Sequence, residues 1–150
     1  MKTKLQNKEK GFTIIEVLIV LAIAGLILLI VFLAVPALQR NSRNTQSKNE
    51  AAALLGAVNE FTNNNNGKLP TSSDSATVLG NAKTSNITTL TIEGQSGSTA
   101  PTGAIAVLRT GAKCTSATGS AVTPAGSTRQ VALLYQIENS AGNLVACTDS

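Results

Sequence analysis

Residues 17–38 contain no charged side chain and read VLIVLAIAGLILLIVFLAVPAL. As an α-helix these 22 residues would span about 33 Å, which matches the roughly 30 Å hydrocarbon core of a bilayer. A removable secretory signal is the rival reading. Its apolar region is usually about 7–15 residues long and is followed by small residues at the cut. The run here is longer, and Val35-Pro36-Ala37 is a poor small-x-small sequence. The pattern therefore predicts a membrane segment that stays on the protein. Beyond it, residues 39–50 are polar, with Arg40, Arg43, Lys48 and Glu50. Ala51, Leu54, Leu55, Val58 and Phe61 then recur at three- and four-residue spacing, one apolar face of a helix. Asn63 to Asn66 and Gly67 supply residues suited to a left-handed cap, and Pro70 bars continuation. One helix is expected from Thr13 to about Asn63, roughly 50 residues or about 75 Å.

The second half changes period. Ile87-Thr88-Thr89-Leu90-Thr91-Ile92 and Ala104-Ile105-Ala106-Val107-Leu108-Arg109 are rich in β-formers. Over residues 130–138, Val131, Leu133, Tyr135 and Ile137 fall on one face. Asn139-Ser140-Ala141-Gly142 turns the chain into Asn143-Leu144-Val145-Ala146-Cys147, a hairpin. These read as short antiparallel strands whose apolar face needs a cover, and the amphipathic stretch around Leu54 is the one good candidate. The predicted product is an α+β fold: a long N-terminal helix whose later half packs on a small antiparallel sheet. Residues 71–85, 95–102 and 115–128 are rich in Ser, Thr, Gly and Ala and read as exposed loops. Asn86-Ile87-Thr88 has the form of a glycosylation triplet, but its β-rich setting argues for burial.

Composition narrows the chemistry. The chain of 150 residues has no His and only two Cys. That removes imidazole bases, His-ligated metals and a four-thiolate zinc site. No G-x-x-x-x-G-K-[ST] run exists to cradle a nucleotide. The expectation is a chain that is not an enzyme and holds no cofactor or metal. Its net charge of +4 is concentrated: Lys2, Lys4, Lys8 and Lys10 against Glu9 give the first ten residues +3, leaving +1 for the rest. A basic surface for nucleic acid is not supported. Positive residues directly before an apolar run instead set topology, holding the start of the chain in the cytoplasm.

Glu16 breaks the pattern of a simple anchor. It stands at the edge of the apolar run behind Phe12, Ile14 and Ile15, where a carboxylate is unfavourable unless it reaches water or gains a positive partner. An α-amino group released by cleavage nearby would serve, and Gly11 is the obvious small residue at which to cut.

Lys10-Gly11-Phe12-Thr13-Ile14-Ile15-Glu16, followed by a long uncharged helix, resembles the class III signal of type IV prepilins. The resemblance implies that a prepilin peptidase cuts between Gly11 and Phe12 and N-methylates Phe12. It implies three regions: a leader at 1–11, a membrane and filament-core helix at 12–38, and an exported head at 39–150. Glu16 is then the assembly residue that pairs with the N-terminus of a neighbouring subunit. Gly25 falls where the family has a glycine, whereas Pro36 comes about one turn later than the family's helix proline. The stretch between them either loses helicity in a filament or carries a simple kink.

Cys114 and Cys147 both follow the membrane segment, in a compartment that permits a bridge; two buried thiols are the alternative. A C-terminal disulfide loop is similar to that of many pilins. The implied protein is a structural subunit of a type IV pilus-like filament, a homo-oligomer. Its single-pass precursor waits in the cytoplasmic membrane, and an assembly platform and a separate ATPase move it to the cell surface. The nearest alternative is a pseudopilin of a secretion or DNA-uptake machine. Many secretion pseudopilins bind calcium through acidic loops, and here Asp74, Glu93, Glu138 and Asp149 are widely spread. A non-polymerising anchored binding protein is the alternative from another class, but it leaves Gly11-Phe12 and Glu16 unexplained.

Overall fold

A computed structural model describes residues 11–124, 127 and 129–150. The basic residues up to Lys10, the start of the expected leader, lie outside the described residues. The chain divides into two compact units, Met1–Leu38 and Gln39–Ser150.

In the first unit Gly11, Phe12 and Thr13 are non-helical, and helix α1 (Ile14–Asn64) begins directly after them. All described side chains up to Leu38 are exposed, including Phe12 at 88%, Phe32 at 74% and Leu33 at 76%. The stretch is long and apolar enough to cross a membrane. Among the described residues of this unit its apolar side chains find no buried packing. The helix is continuous from Gly25 through Pro36.

In the second unit α1 buries Ala51, Leu54, Leu55 and Val58 as the spacing predicts, with Ala57 beside them, while Phe61 is half-buried against the same core. It ends as the sequence suggests. Gly67 N–H donates to the Thr62 carbonyl at 2.8 Å, with Asn66 and Gly67 at φ +55° and +81°. The left-handed turn suits Asn and Gly. The Arg129 side chain occupies the place where a Cβ on residue 67 would stand, so glycine there also admits a neighbour.

The main sheet takes the order β1 (Thr89–Gly94), β2 (Ile105–Thr110), β5 (Val131–Asn139), β6 (Gly142–Asp149). A small hairpin of β3 (Ala112–Cys114) and β4 (Val122–Pro124) forms the second sheet. Val131, Leu133 and Tyr135 share a core with Leu54, Val58, Leu90, Ile92 and Leu108, as their alternation predicts. Val107, Ala132, Leu134 and Cys147 form a second cluster with Ala112 of β3. The inner strands are thus covered on both faces. This explains why β5 begins as an uninterrupted apolar run, Val131-Ala132-Leu133-Leu134-Tyr135.

The structure departs from the sequence reading in three places. First, β1 and β2 run parallel, with Glu93 opposite Arg109; β2–β5 and β5–β6 are antiparallel. Alternation fixes which face a residue takes, not the direction of the strand. Second, residues 71–85 are not simply a loop: a 3₁₀ turn (Ser72–Asp74) leads into α2 (Ser75–Ala82), which buries Val78. The Asp74 carboxylate accepts from the Thr71 N–H at 2.9 Å and the Thr71 hydroxyl at 2.8 Å, fixing the turn that starts it. Third, Asn86 and Thr88 are exposed and precede β1, with only Ile87 between them buried. The expected burial of that triplet does not occur.

Candidate functional site

The N-terminal segment is built around a reciprocal cap. Glu16 Oε2 accepts from the Thr13 N–H at 2.9 Å and from the Thr13 hydroxyl at 2.6 Å. The Glu16 N–H points back at Thr13 Oγ1, at 3.4 Å. This is a capping box: a hydroxyl residue at the N-cap and Glu three positions on satisfy donors that the first turn leaves free. It fixes where α1 starts, and so leaves Gly11 and Phe12 outside the helix. A Cβ on residue 11 would meet nothing within 4 Å. The fold does not require glycine there, so any requirement for it must come from a partner. Phe12, Glu16, Val17, Val20 and Leu21 line one shallow groove. Phe12 and the carboxylate thus share a surface that is otherwise apolar.

Residues 6–32 match the family model of the prokaryotic N-terminal methylation motif. The chain carries the class III signal of type IV pilins. Among curated proteins and among solved structures nothing matches the chain. The long N-terminal helix followed by a mixed sheet is a pilin-like α+β arrangement.

Cys114 and Cys147 form a disulfide, with their Cα atoms 5.8 Å apart. It ties β3 to β6 over the second apolar cluster. Asp149 accepts from the Cys114 N–H at 2.9 Å, and the Cys147 N–H donates to the Ala117 carbonyl at 3.0 Å. The loop after Cys114 is therefore laid along the β6 edge, which limits open strand pairing there.

Two acids that the sequence left unassigned hold the second unit together. Glu50 is only 8% exposed. Its carboxylate accepts from the Ile87 N–H at 2.8 Å, the Asn86 N–H at 2.9 Å and the Ser85 hydroxyl at 2.8 Å. Burial pushes its pKa up, but the hydrogen bonds from Asn86, Ile87 and Ser85 outweigh it, and the net shift is downward. Glu138 is held below the usual carboxylate range chiefly by its hydrogen bond from Arg43. Neither partnership carries a sequence signal, since the residues lie 35 to 95 positions apart. Among the described residues no group of three or more His, Cys, Asp or Glu could hold a metal ion.

Proposed function

We propose that this chain is a structural subunit of a type IV pilus-like surface filament. The observation that carries the reading is the methylation motif at residues 6–32, which runs into the exposed apolar start of α1, whose first turn holds Glu16. On this reading a prepilin peptidase removes residues 1–11 by cutting between Gly11 and Phe12 and methylates the Phe12 nitrogen. Residues 12–38 hold the subunit in the cytoplasmic membrane, with residues 39–150 outside. An assembly platform and a cytoplasmic ATPase then move the helix from lipid into a bundle of like helices at the cell surface.

Assembly rests on charge. In a staggered array the Phe12 amine of an incoming subunit meets the Glu16 already in place. Either charge left alone in an apolar bundle is strongly destabilising, so the pair selects the axial register. A pilus subunit is preferred to a calcium-binding secretion pseudopilin because each acid after the helix is engaged within the chain. Asp74 bonds Thr71, Glu93 bonds Thr99, Glu138 bonds Arg43, and Asp149 bonds the Cys114 amide.

The test is mass spectrometry of the mature protein combined with electron microscopy of sheared surface material. An N-methylated Phe12 terminus and filaments lost on deletion of this chain are expected. An intact Met1 terminus on the surface protein would overturn the reading.

A further inference from the structure

Arg109 is 7% exposed, and its Nε is buried with no hydrogen-bond partner among the described residues. A buried guanidinium in this state is unfavourable unless a carboxylate meets it. One is at hand. Glu93 of β1 stands directly opposite Arg109 of β2 in the parallel register, on the same face of the sheet. Yet Arg43–Glu138 is the ion pair found among the described residues, and Glu93 and Arg109 form none.

Thr99 stands between them. Its N–H donates to Glu93 Oε2 at 3.3 Å, its hydroxyl donates to Glu93 Oε1, and its carbonyl accepts from Arg109 Nη2 at 3.1 Å. One residue of the β1–β2 connection thus engages both charges. The connection is drawn tightly over the carboxylate. The Gly97 N–H bonds the Gly94 carbonyl at 3.0 Å, and a Cβ on residue 97 would overlap the Glu93 side chain.

We propose that residues 95–101 form a strap that exchanges between this closed arrangement and an open one in which Glu93 and Arg109 pair directly. Closing trades the ion pair for three hydrogen bonds to Thr99 and leaves Arg109 Nε unpaired. Opening restores a two-point guanidinium–carboxylate contact and frees the polar backbone of the strap to meet another surface. The two arrangements answer the same two charges by different partners, which is what a two-state element requires. The inference is independent of the filament reading.

Amide hydrogen exchange on the full-length protein in detergent micelles tests it. In the wild type, the hydrogen-bonded amides of Gly97 and Thr99 should exchange through an opening well below the global unfolding free energy, while β5 stays protected. Thr99→Val removes a donor to a charged acceptor and should speed exchange of the strap about tenfold or more, with β5 unchanged. Adding Glu93→Gln to Thr99→Val should remove most of that gain, because the open form then lacks its ion pair. A loop that is merely loosened would keep the gain in the double variant, and that result overturns the proposal. So does a strap that exchanges only with β5, or one that Thr99→Val leaves unchanged.

Discussion

The Arg43 guanidinium and the Glu138 carboxylate meet as a two-point fork, Nε to Oε1 at 2.8 Å and Nη2 to Oε2 at 2.7 Å. Beside them Asn44 grips the backbone of the same residue. Its Nδ2 donates to the Glu138 carbonyl and its Oδ1 accepts from the Glu138 N–H, both at 2.6 Å. β2 pairs with β5 only as far as Leu134, so the Asn44 amide takes the place of a neighbouring strand at Glu138. The ion pair looks the stronger tie, but its side chains are 52% and 35% exposed. Solvent screening leaves such an exposed pair a weak tie. Asn44→Ala leaves a part-buried N–H and carbonyl without protein partners and should destabilise by about 1–3 kcal/mol. Chemical denaturation should therefore rank Asn44→Ala above Arg43→Ala; the reverse order would make the ion pair the dominant tie.

Glu50 predicts a pH dependence with a definite sign. Its pKa in the fold lies below its unfolded value, so it contributes stability above about pH 4.3, the ordinary carboxylate value. That contribution is lost as pH falls through the folded pKa, when the carboxylate must accept a proton against its amide donors. Glu50→Gln keeps the shape but sets an NH₂ among groups that donate. It should cost about 1.5–3 kcal/mol at pH 7 and much less at pH 3. Thermal melts of both proteins at the two pH values check this; a gap that does not narrow in acid would remove Glu50 from the role.

The disulfide joins residues 33 positions apart. Cys114→Ser should lower stability by about 3–4 kcal/mol, the chain-entropy figure for a loop of that size less any native strain. Hydrogen exchange should rise first along β3 and the start of the following loop, since Cys114 is their covalent link to β6. Two reactive thiols in the unreduced, denatured wild type would refute the bridge.

What could be read in the sequence follows from what a local pattern carries. The face made by Ala51, Leu54, Leu55 and Val58 and the alternation of Val131, Leu133 and Tyr135 are periodicities, and both appear as expected; the uncharged run at 17–38 is legible by length alone and is helical throughout. The direction of β1 against β2 has no periodic signature. α2 escaped notice because eight residues with Val78 and Leu79 as the larger apolar side chains scarcely differ from a Ser-rich loop. At the N-terminus the sequence placed Glu16 by its charge. It did not reveal that Thr13 and Glu16 make a cap, although the T-x-x-E spacing contains that signal. Glu50, Asn44 and Thr99 act through partners far along the chain or across a turn, and no local rule reaches them.

The cap separates two roles of Glu16 that a single alanine variant would confuse. Glu16→Ala removes both the counter-charge and the acceptor for Thr13, so it also frays the first turn. Glu16→Gln keeps an oxygen that accepts from the Thr13 N–H and hydroxyl, and removes only the charge. Both variants make the segment less costly to hold in lipid, so insertion should survive. The second unit should fold normally in both, because its core contains no residue before Glu50. If the carboxylate serves as the partner of an incoming Phe12 amine, both variants should lose filaments together, while membrane-resident subunit and head protease resistance stay at wild-type levels. If Glu16 only caps the helix, Glu16→Gln should assemble as the wild type does and Glu16→Ala alone should fall. Sheared surface filaments at wild-type yield from cells whose only subunit is Glu16→Gln would therefore end the charge-pairing mechanism.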